Sequence, residues 1–437
     1  MYLKCLKVNN FRKFGIEENE ISFVDANTYN KGKISKAYSA ENPDEPTQIT
    51  SSDKTSQPVQ TNIASATTLI VGKNNAGKST ITVVLNKIIN CPSSFTPFDF
   101  NITYLKEKFD TLFIPSCNFK PPVIEITVTI GLDDDSKDLV TNCIPFMSLD
   151  DAKNQEIEIF VKYEVAEEQV LFIRLKDEIE LYKEYDKKQK FMKFIEILYD
   201  QDFVLNYYDA NGEKITGFKI KDLIEMKTIS AIAVKNQSSL SCAFCKIIEY
   251  RYKELAKGTK RKELDDKIQE INKKLDSIIK AEHSDAINES FEKLIASDKL
   301  NILLSSDLSF ARLFKDLIKY EYIDGDNIIP EDQFGLGYTN LVTIVAELID
   351  YMEKYGESAF NSRVNLISIE EPETYMHPQM QEVFIKNVNE AIVFLLENRK
   401  KHINTQLIIT THSSHILNSK IQSGNSFNNI NYVVGKD

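Results

Sequence analysis

Residues 71–80 read VGKNNAGKST, and this stretch decides the fold of the chain. It matches the phosphate-loop pattern G-x-x-x-x-G-K-[ST], in which glycines let successive backbone N–H groups point at phosphate oxygens. The apolar run TTLIV precedes the loop and STITVVLNKII follows it, so the sequence predicts a buried strand, the loop and then a helix. In such a loop the lysine binds the β- and γ-phosphates and the serine hydroxyl binds Mg²⁺. We therefore predict an ATP and Mg²⁺ site, with Ser79 as a metal ligand, built from Gly72, Lys73, Asn74, Asn75, Ala76, Gly77, Lys78, Ser79 and Thr80.

The bulk composition is that of an ordinary soluble protein. The chain has 437 residues, of which 42% are hydrophobic and 27% charged. No apolar run approaches the roughly 20 residues that span a bilayer, and the N-terminus has no signal-peptide core. We therefore predict a cytoplasmic protein without a membrane partner. Six scattered cysteines indicate reduced thiols, and we interpret Cys242 and Cys245 of CAFC as half-buried thiols rather than a zinc site.

The net charge of −12 argues against a surface that binds nucleic acid as a whole. It leaves open a local basic stripe, because salt screens charges over roughly 10 Å and patches act separately. Double-stranded DNA therefore stays a candidate partner.

Hydrophobic patterns divide the chain into three parts. Residues 1–175 contain alternating strand patterns, including an edge strand near the start, VIEITVTIGL, EIEIFVKYEV and a neighbouring strand at 169–175. Within this part, residues 25–66 lack large aliphatic side chains and are predicted to be a flexible insertion. Residues 176–325 are predicted to be a helical insertion, with apolar residues at helical spacing between 264 and 279, and form a candidate dimerisation arm. Residues 326–437 return to alternating strands and helices, which is typical of a largely parallel sheet with helices on both faces.

Two further strand ends carry polar residues. VNLISIEEPETYMHPQ (364–379) places Glu370 and Glu371 at the carboxyl end of a buried strand, where open α/β sheets bind ligands. We predict that Glu370 helps to hold Mg²⁺ and that Glu371 polarises the attacking water. QLIITTHSSHIL (406–417) places His412 at the tip of another buried strand. Taken alone, this position is explained by a structural histidine. The alternative, which the order of the three motifs favours, is that His412 hydrogen-bonds the γ-phosphate and senses its presence.

QFGLGYTNLVTIVAEL (333–348) places Gly335 and Gly337 beside the start of a helix, with Asn340 in its first turns. A simple capped helix explains this pattern. The alternative is that this helix N-terminus covers the ATP held by a second subunit.

Together these blocks, with NNFRKF near the start, resemble the ABC/SMC/RecF-like ATPases and within them the overcoming-lysogenization-defect (OLD) family. The resemblance implies an α/β fold: an ABC-type P-loop ATPase head, with a mixed sheet flanked by helices, an antiparallel β subdomain and an inserted helical arm. It implies a homodimer or higher oligomer of heads, each ATP being held by the phosphate loop of one subunit and by Gly335, Gly337 and Asn340 of the other. Catalytic roles are implied for Lys78, Glu371 and His412, the Walker B carboxylate is Glu370, and Arg12 would lie near the nucleotide.

The family is linked to DNA transactions and to defence against phage, and it usually carries a C-terminal Toprim nuclease domain. This sequence stops shortly after His412. The nuclease is then a separate partner, or the chain is truncated, or there is none, and no residue here is assigned nuclease activity. The functional prediction is an ATPase that controls a nuclease or toxin effector, probing DNA in anti-phage defence. The alternatives are a DNA-repair or chromosome-associated ATPase, a transporter ATPase subunit, a scaffold in which ATP is structural, and a P-loop kinase.

Overall fold

The computed structural model describes most of the chain, and it separates into two compact units. The first unit comprises Met1–Ala231 and Gly356–Asp437, and the second comprises Ile232–Tyr355. The described residues are 1–16, 19–23, 67–114, 119–132, 139–147, 156–182, 184–230, 244, 247–248, 250–252, 259–280, 287–289, 305–309, 312, 321–330, 333, 335–354, 363–398, 405–424 and 429–435.

The described part of the chain contains strands and helices of ordinary length. The strands are β1 (Tyr2–Asn9), β2 (Glu20–Ser22), β3 (Thr67–Gly72), β4 (Ile124–Gly131), β5 (Glu156–Val165), β6 (Phe203–Tyr208), β7 (Lys214–Ile215), β8 (Ile224–Ser230), β9 (Glu321–Asp324), β10 (Asn327–Pro330), β11 (Val364–Glu370), β12 (Thr405–Thr411) and β13 (Ile430–Val433). The α-helices with described bounds are α1 (Lys78–Asn90), α2 (Ile102–Thr111), α3 (Glu168–Leu181), α4 (Lys187–Tyr199), α5 (Thr259–Ile279), α6 (Leu336–Lys354), α7 (Pro378–Asn398) and α8 (Ser414–Gly424). Short 3₁₀ helices span Pro92–Ser94, Pro97–Asp99, Val140–Phe146 and Ile220–Asp222.

Six strands of the first unit form an antiparallel sheet in the order β2-β1-β4-β5-β6-β7. Along β5, buried and more exposed residues alternate, as expected for a sheet with one face on the core. The two predicted strands at 123–132 and 156–165 pair antiparallel, which confirms that prediction. The expected edge position of the first strand is wrong, because β1 pairs with β2 on one side and β4 on the other.

The other sheet of the first unit is parallel and has the order β13-β3-β12-β11-β8. All four pairings between neighbours are parallel. Strand β3 is buried along its whole length, and β11 and β12 are buried at all but one position each. Continuous burial explains their unbroken apolar runs, and parallel pairing brings their carboxyl ends to one edge.

Two side-chain amides of the parallel sheet hydrogen-bond to backbone groups of the antiparallel sheet, as a neighbouring peptide group would. Leu3 in β1 lies beyond the residues that pair with β2, and its N–H and C=O bind the buried amide of Gln406 at 2.7 and 2.9 Å. On the edge strand β2, Ser22 makes the same pair of bonds with the amide of Asn431 at 3.2 and 2.9 Å. The parallel sheet therefore satisfies backbone groups that the antiparallel sheet leaves unpaired.

One predicted strand is a helix. Residues 169–175 lie within α3, where Leu171 and Leu175 are fully buried one helical turn apart. Val170 and Ile173 are exposed, so the burial follows a helical period and not the alternation of a strand. The short apolar run QVLFIRL is ambiguous between the two periods, and the prediction of a strand there was wrong.

The range 176–325 also differs from a purely helical insertion. It contains α4, β6 and β7, and its strand β8 pairs with β11 along seven residues of the parallel sheet. The boundaries of the compact units at 231 and 356 accordingly differ from those that the sequence predicted. The predicted flexible insertion at 25–66 and the thiols Cys242 and Cys245 lie outside the described residues.

The second unit contains the long helices α5 and α6 and the antiparallel hairpin of β9 and β10. Helix α5 confirms the helical period predicted between residues 264 and 279. In the described part of the whole chain, none of the helices combines the length and apolarity that crossing a bilayer requires.

Candidate nucleotide site

The phosphate loop connects the buried strand β3 to helix α1. Two of its residues have left-handed backbone conformations, Asn75 with φ 63° and Gly77 with φ 112°. The helix begins at Lys78, whose side chain is only 4% exposed. Its Nζ donates to the carbonyl oxygens of Gly72 and Lys73, both at 3.0 Å. The lysine charge is thus held over the loop, where a phosphate oxygen would bind.

Both glycines of the motif are required by their surroundings. A Cβ on Gly72 would lie 2.5 Å from the carbonyl oxygen of Val433 in the neighbouring strand β13. A Cβ on Gly77 would lie 3.2 Å from the Cβ of Lys13, in addition to the strain of its positive φ. The loop is therefore shaped by close backbone packing as well as by its own turn.

The first turn of α1 lies beside the end of β11. The Thr82 hydroxyl contacts both the Ser79 carbonyl oxygen, at 3.1 Å, and the Glu370 carboxylate, and its single hydrogen serves one of them at a time. This contact brings the Glu370 carboxylate to the helix turn that carries Ser79. One carboxylate and one hydroxyl fit Mg²⁺, which takes its remaining ligands from phosphates and water. Accordingly, no cluster of three or more metal-binding side chains occurs among the described residues.

Glu371 is the first residue after β11 and has a left-handed conformation, with φ 46°. Its N–H donates to the carbonyl oxygen of Thr410 at 2.8 Å, which fixes the start of the turn against β12. Its Oε1 lies 4.0 Å from Nζ of Lys78 and 3.9 Å from Nδ1 of His412. One carboxylate oxygen therefore lies between side chains that follow two other strands.

His412 follows directly after β12, and its side chain is 43% exposed. Its Nδ1 lies 3.0 Å from Oε1 of Glu373, which is closer than Glu371. The ends of the adjacent strands β3, β12 and β11 thus bring Lys78, His412 and the glutamates together, as the sequence predicted from their positions at strand ends.

Arg12 has its own partner in the structure. Asp99, nearly fully buried, accepts from Nε of Arg12 at 2.9 Å, and a second guanidinium nitrogen lies 2.9 Å from the same oxygen. The Arg12 N–H donates to the carbonyl oxygen of Asp99 at 2.7 Å, and Nζ of Lys87 lies 2.7 Å from the other carboxylate oxygen. These contacts fix the loop after β1, and the nearness of Arg12 to a nucleotide stays a prediction.

Gly335, Gly337 and Asn340 belong to the second unit, at the start of α6. The Gly335 carbonyl oxygen accepts from the N–H groups of Tyr338 and Thr339 at 3.0 and 3.1 Å, which closes the first helical turn. Asn340 is fully buried. The role of these three residues in a second subunit's site stays a prediction.

Three residues that contact the site were not predicted from the sequence: Lys13, Thr82 and Glu373. Thr82 and Lys13 adjoin predicted site residues, and Thr82 follows Ser79 by one helical turn. Glu373 is the last glutamate of EEPE and lies two residues after Glu371. The sequence nevertheless contains an indication of its position. Three neighbouring carboxylates repel one another, so the third requires hydrogen-bond donors close by.

The described geometry is that of a P-loop ATPase domain, with a phosphate loop between a buried strand and a helix and with acidic residues at the end of a parallel strand of the same sheet. Residues 1–417 match the family described as the AAA ATPase domain, and the chain belongs to this family. The protein is accordingly an ATPase.

Among curated proteins, the chain is 47% identical over 446 residues to Endonuclease GajA of Bacillus cereus (strain HuB5-5). The alignment covers 100% of this chain and 61% of GajA, so the chain spans about three-fifths of that relative's length. Among solved structures, it is similar to the SMC head domain from Thermotoga maritima, with 14% identity, a TM-score of 0.32, and coverage of 96% of this chain and 92% of that one. It is also similar to the recombination mediator protein RecF with ATP, with 10% identity, a TM-score of 0.33, and coverage of 94% and 92%. The assignment rests on the family match and on the site geometry.

Proposed function

We propose that this chain hydrolyses ATP between two paired heads and that its nucleotide state controls a DNA-directed effector in anti-phage defence. The family match gives the ATPase class. The pairing of heads, the effector and the defence role go beyond it and are proposals.

The observation that carries the hydrolytic part is the position of Glu371 Oε1, at 4.0 Å from Lys78 and 3.9 Å from His412. A carboxylate beside the phosphate-binding lysine is suited to orient a water for attack on the terminal phosphate. It can also accept the proton of that water.

The other residues divide the remaining tasks. The loop N–H groups and Lys78 bind the phosphates and stabilise the charge that develops on them. Mg²⁺, for which Ser79 and Glu370 are suitable ligands, would supply further neutralisation of the phosphates when bound. His412 would contact the terminal phosphate, and Arg12 would add positive charge near the nucleotide.

A property of Gly335 supports the pairing of heads. A Cβ at this position would meet none of the described residues within 4 Å. No contact within the described part of the chain therefore requires glycine there. Close approach of a ligand or partner backbone is one physical reason for a glycine at such a position. The phosphates of a nucleotide held by a second subunit would provide it, next to a helix N-terminus that favours anions.

The relative GajA, an endonuclease by name, supports an effector with endonuclease activity, for which we propose DNA as the substrate. Since this chain spans only 61% of that relative, a nuclease can be a further part of the protein or a separate partner. We propose that ATP binding and hydrolysis hold the nuclease, or alternatively a toxin, in inactive and active states. Double-stranded DNA is the proposed trigger.

The experiment is the substitution Glu371→Gln, which keeps the shape of the side chain and removes its charge. We expect phosphate release to fall roughly a hundredfold or more, while ATP still binds and the ATP-bound dimer persists longer in light scattering. The matched control is Glu390→Gln on α7, an exposed glutamate outside the site. Unchanged phosphate release in the Glu371 variant would show that the catalytic assignment is wrong.

Pairing is tested separately with Gly335→Ala. Because the chain accommodates the added methyl group, the isolated subunit should fold and bind ATP normally. We expect loss of the ATP-dependent dimer and of hydrolysis. Full hydrolysis by this variant would contradict the role of the second subunit. The trigger is tested on the wild-type protein, where an ATPase rate that does not rise when duplex DNA is added would contradict it.

A further inference from the structure

Glu373 is a buried carboxylate with no assigned role, at the turn that follows β11. Its side chain is 5% exposed, and it faces the end of β12. Burying a carboxylate costs several kcal/mol unless donors compensate it. Glu373 Oε1 accepts from the Thr411 hydroxyl and from the His412 N–H, both at 2.8 Å.

The ring of His412 is the third polar group beside this oxygen. Nδ1 lies 3.0 Å from Glu373 Oε1, a hydrogen-bonding distance, whereas its separation of 3.9 Å from Glu371 Oε1 is too long. An ionised carboxylate can only accept, so Nδ1 carries the hydrogen in this pair. Nε2 is then the ring nitrogen that remains for the nucleotide.

The carboxylate cannot follow a moving ring. Its two hydrogen-bond donors are the backbone N–H of His412 and the hydroxyl of the preceding residue, and these fix the carboxylate to the loop that carries the ring. The Glu373 carbonyl oxygen also accepts from the N–H of Met376 at 2.9 Å, which fixes the turn.

A second buried connection links the same two segments. The Ser413 hydroxyl donates to Oε1 of Gln381 at 2.5 Å, and Nε2 of Gln381 donates to the carbonyl oxygen of Met376 at 2.8 Å. The turn that contains Glu371 and the loop that contains His412 are thus tied at two points.

We propose that Glu373 is a positioning residue for ATP hydrolysis. It holds His412 as the Nδ1–H tautomer, directs Nε2 to the nucleotide, and couples the histidine loop to the Glu371 turn. This inference rests on the proposed function, in which Glu371 and His412 act on the same phosphate.

The test combines kinetics with NMR on the full chain. Glu373→Gln keeps the shape of the side chain, and we expect kcat to fall roughly ten- to a hundredfold, as for other groups that orient a functional histidine. The affinity for ATP should change less than about twofold, since Glu373 does not contact the phosphate loop. The matched control is Glu382→Gln, which removes the carboxylate of an exposed pair in which Glu382 lies 3.7 Å from Nδ1 of His415.

A double-mutant cycle separates positioning from simple stability. If Glu373 acts through His412, Glu373→Gln has no further effect on kcat in a His412→Ala background. An equal loss in both backgrounds, or a kcat within twofold of wild type, would overturn the proposal.

The ¹⁵N spectrum of the imidazole provides a readout on the wild-type protein that does not require turnover. The chain has five histidines, and the His412 signal is assigned by its absence in His412→Ala. We expect the hydrogen on Nδ1 in the wild-type protein. A hydrogen on Nε2 alone would contradict the inference, whatever the ATPase rate. Absence of ATP hydrolysis in the wild type, with or without DNA, would instead contradict the proposed function.

Discussion

The two sheets of the first unit differ in the residues that follow the ends of their strands. In the parallel sheet, three adjacent strands β3, β12 and β11 end at one edge, and each is followed by candidate site residues. In the antiparallel sheet, neighbouring strands end at opposite edges. Of the predicted site residues, only Arg12 follows one of its strands, and it is bound to Asp99.

This difference has a simple physical origin. Parallel pairing repeats one strand direction, so the loops after neighbouring strands, and the N-termini of the helices that follow them, converge. Antiparallel pairing places successive loops at opposite edges of the sheet. It also leaves backbone groups of Leu3 and Ser22 without strand partners, and the side-chain amides of Gln406 and Asn431 hydrogen-bond to them. The parallel sheet therefore carries the candidate site, and the antiparallel sheet packs beside it.

The largest expected effect comes from removing the charge at the parallel edge. Lys78→Ala should abolish ATP binding at micromolar protein and reduce phosphate release by at least about a hundredfold. The reason is that, among the described residues, no other buried lysine lies over the carbonyl groups of the phosphate loop. Isothermal titration with Mg-ATP measures the binding. Lys386→Ala, on an exposed position of α7, is the control. If the Lys78 variant still binds Mg-ATP, the nucleotide site does not lie at this edge of the parallel sheet.

The connection between the sheets should be the next most sensitive feature. Gln406→Ala leaves the N–H and C=O of Leu3 buried without these partners, so we expect a loss of about 2–4 kcal/mol in the free energy of unfolding. Urea denaturation of the full chain provides the measurement. Asn431→Ala breaks the corresponding bonds at an exposed position and should cost less than about 1 kcal/mol. Equal losses in the two variants would show that burial of the amide is not what matters.

The smallest effect concerns Lys420 in α8, the helix that follows the His412 loop. Burial lowers the pKa of Lys420 to about 8, from an ordinary value of 10.5. Below pH 8 the folded protein must bury the charged form, and the cost disappears as pH rises from about 8 to 10.5, since the folded lysine then releases its proton first. Lys420→Met should therefore stabilise the protein at pH 7 by about 3 kcal/mol at most, the equivalent of this pKa shift.

Urea midpoints at pH 7 and pH 10 measure this difference. The advantage of the methionine variant should shrink at the higher pH. A constant advantage would indicate that packing, and not desolvation of the charge, sets the stability at this position.

The sequence by itself determined the parts of the molecule whose signals are local. The phosphate loop between an apolar strand and a helix, the alternation in β4 and β5, and the polar residues at the ends of β11 and β12 are all contained in short windows, which is why they predict the ATPase class. The helix at α3 was misread because a seven-residue apolar run fits two periods.

Only the tertiary structure decided which distant groups meet. It placed β8 against β11, the amide of Gln406 on Leu3, and Glu373 on His412. Residues 3 and 406 are neighbours solely because of sheet order and register. A short segment of sequence contains no information about either. Buried polar groups must find partners wherever the fold brings donors and acceptors together, and so the contacts that organise this site were fixed by packing across the whole chain.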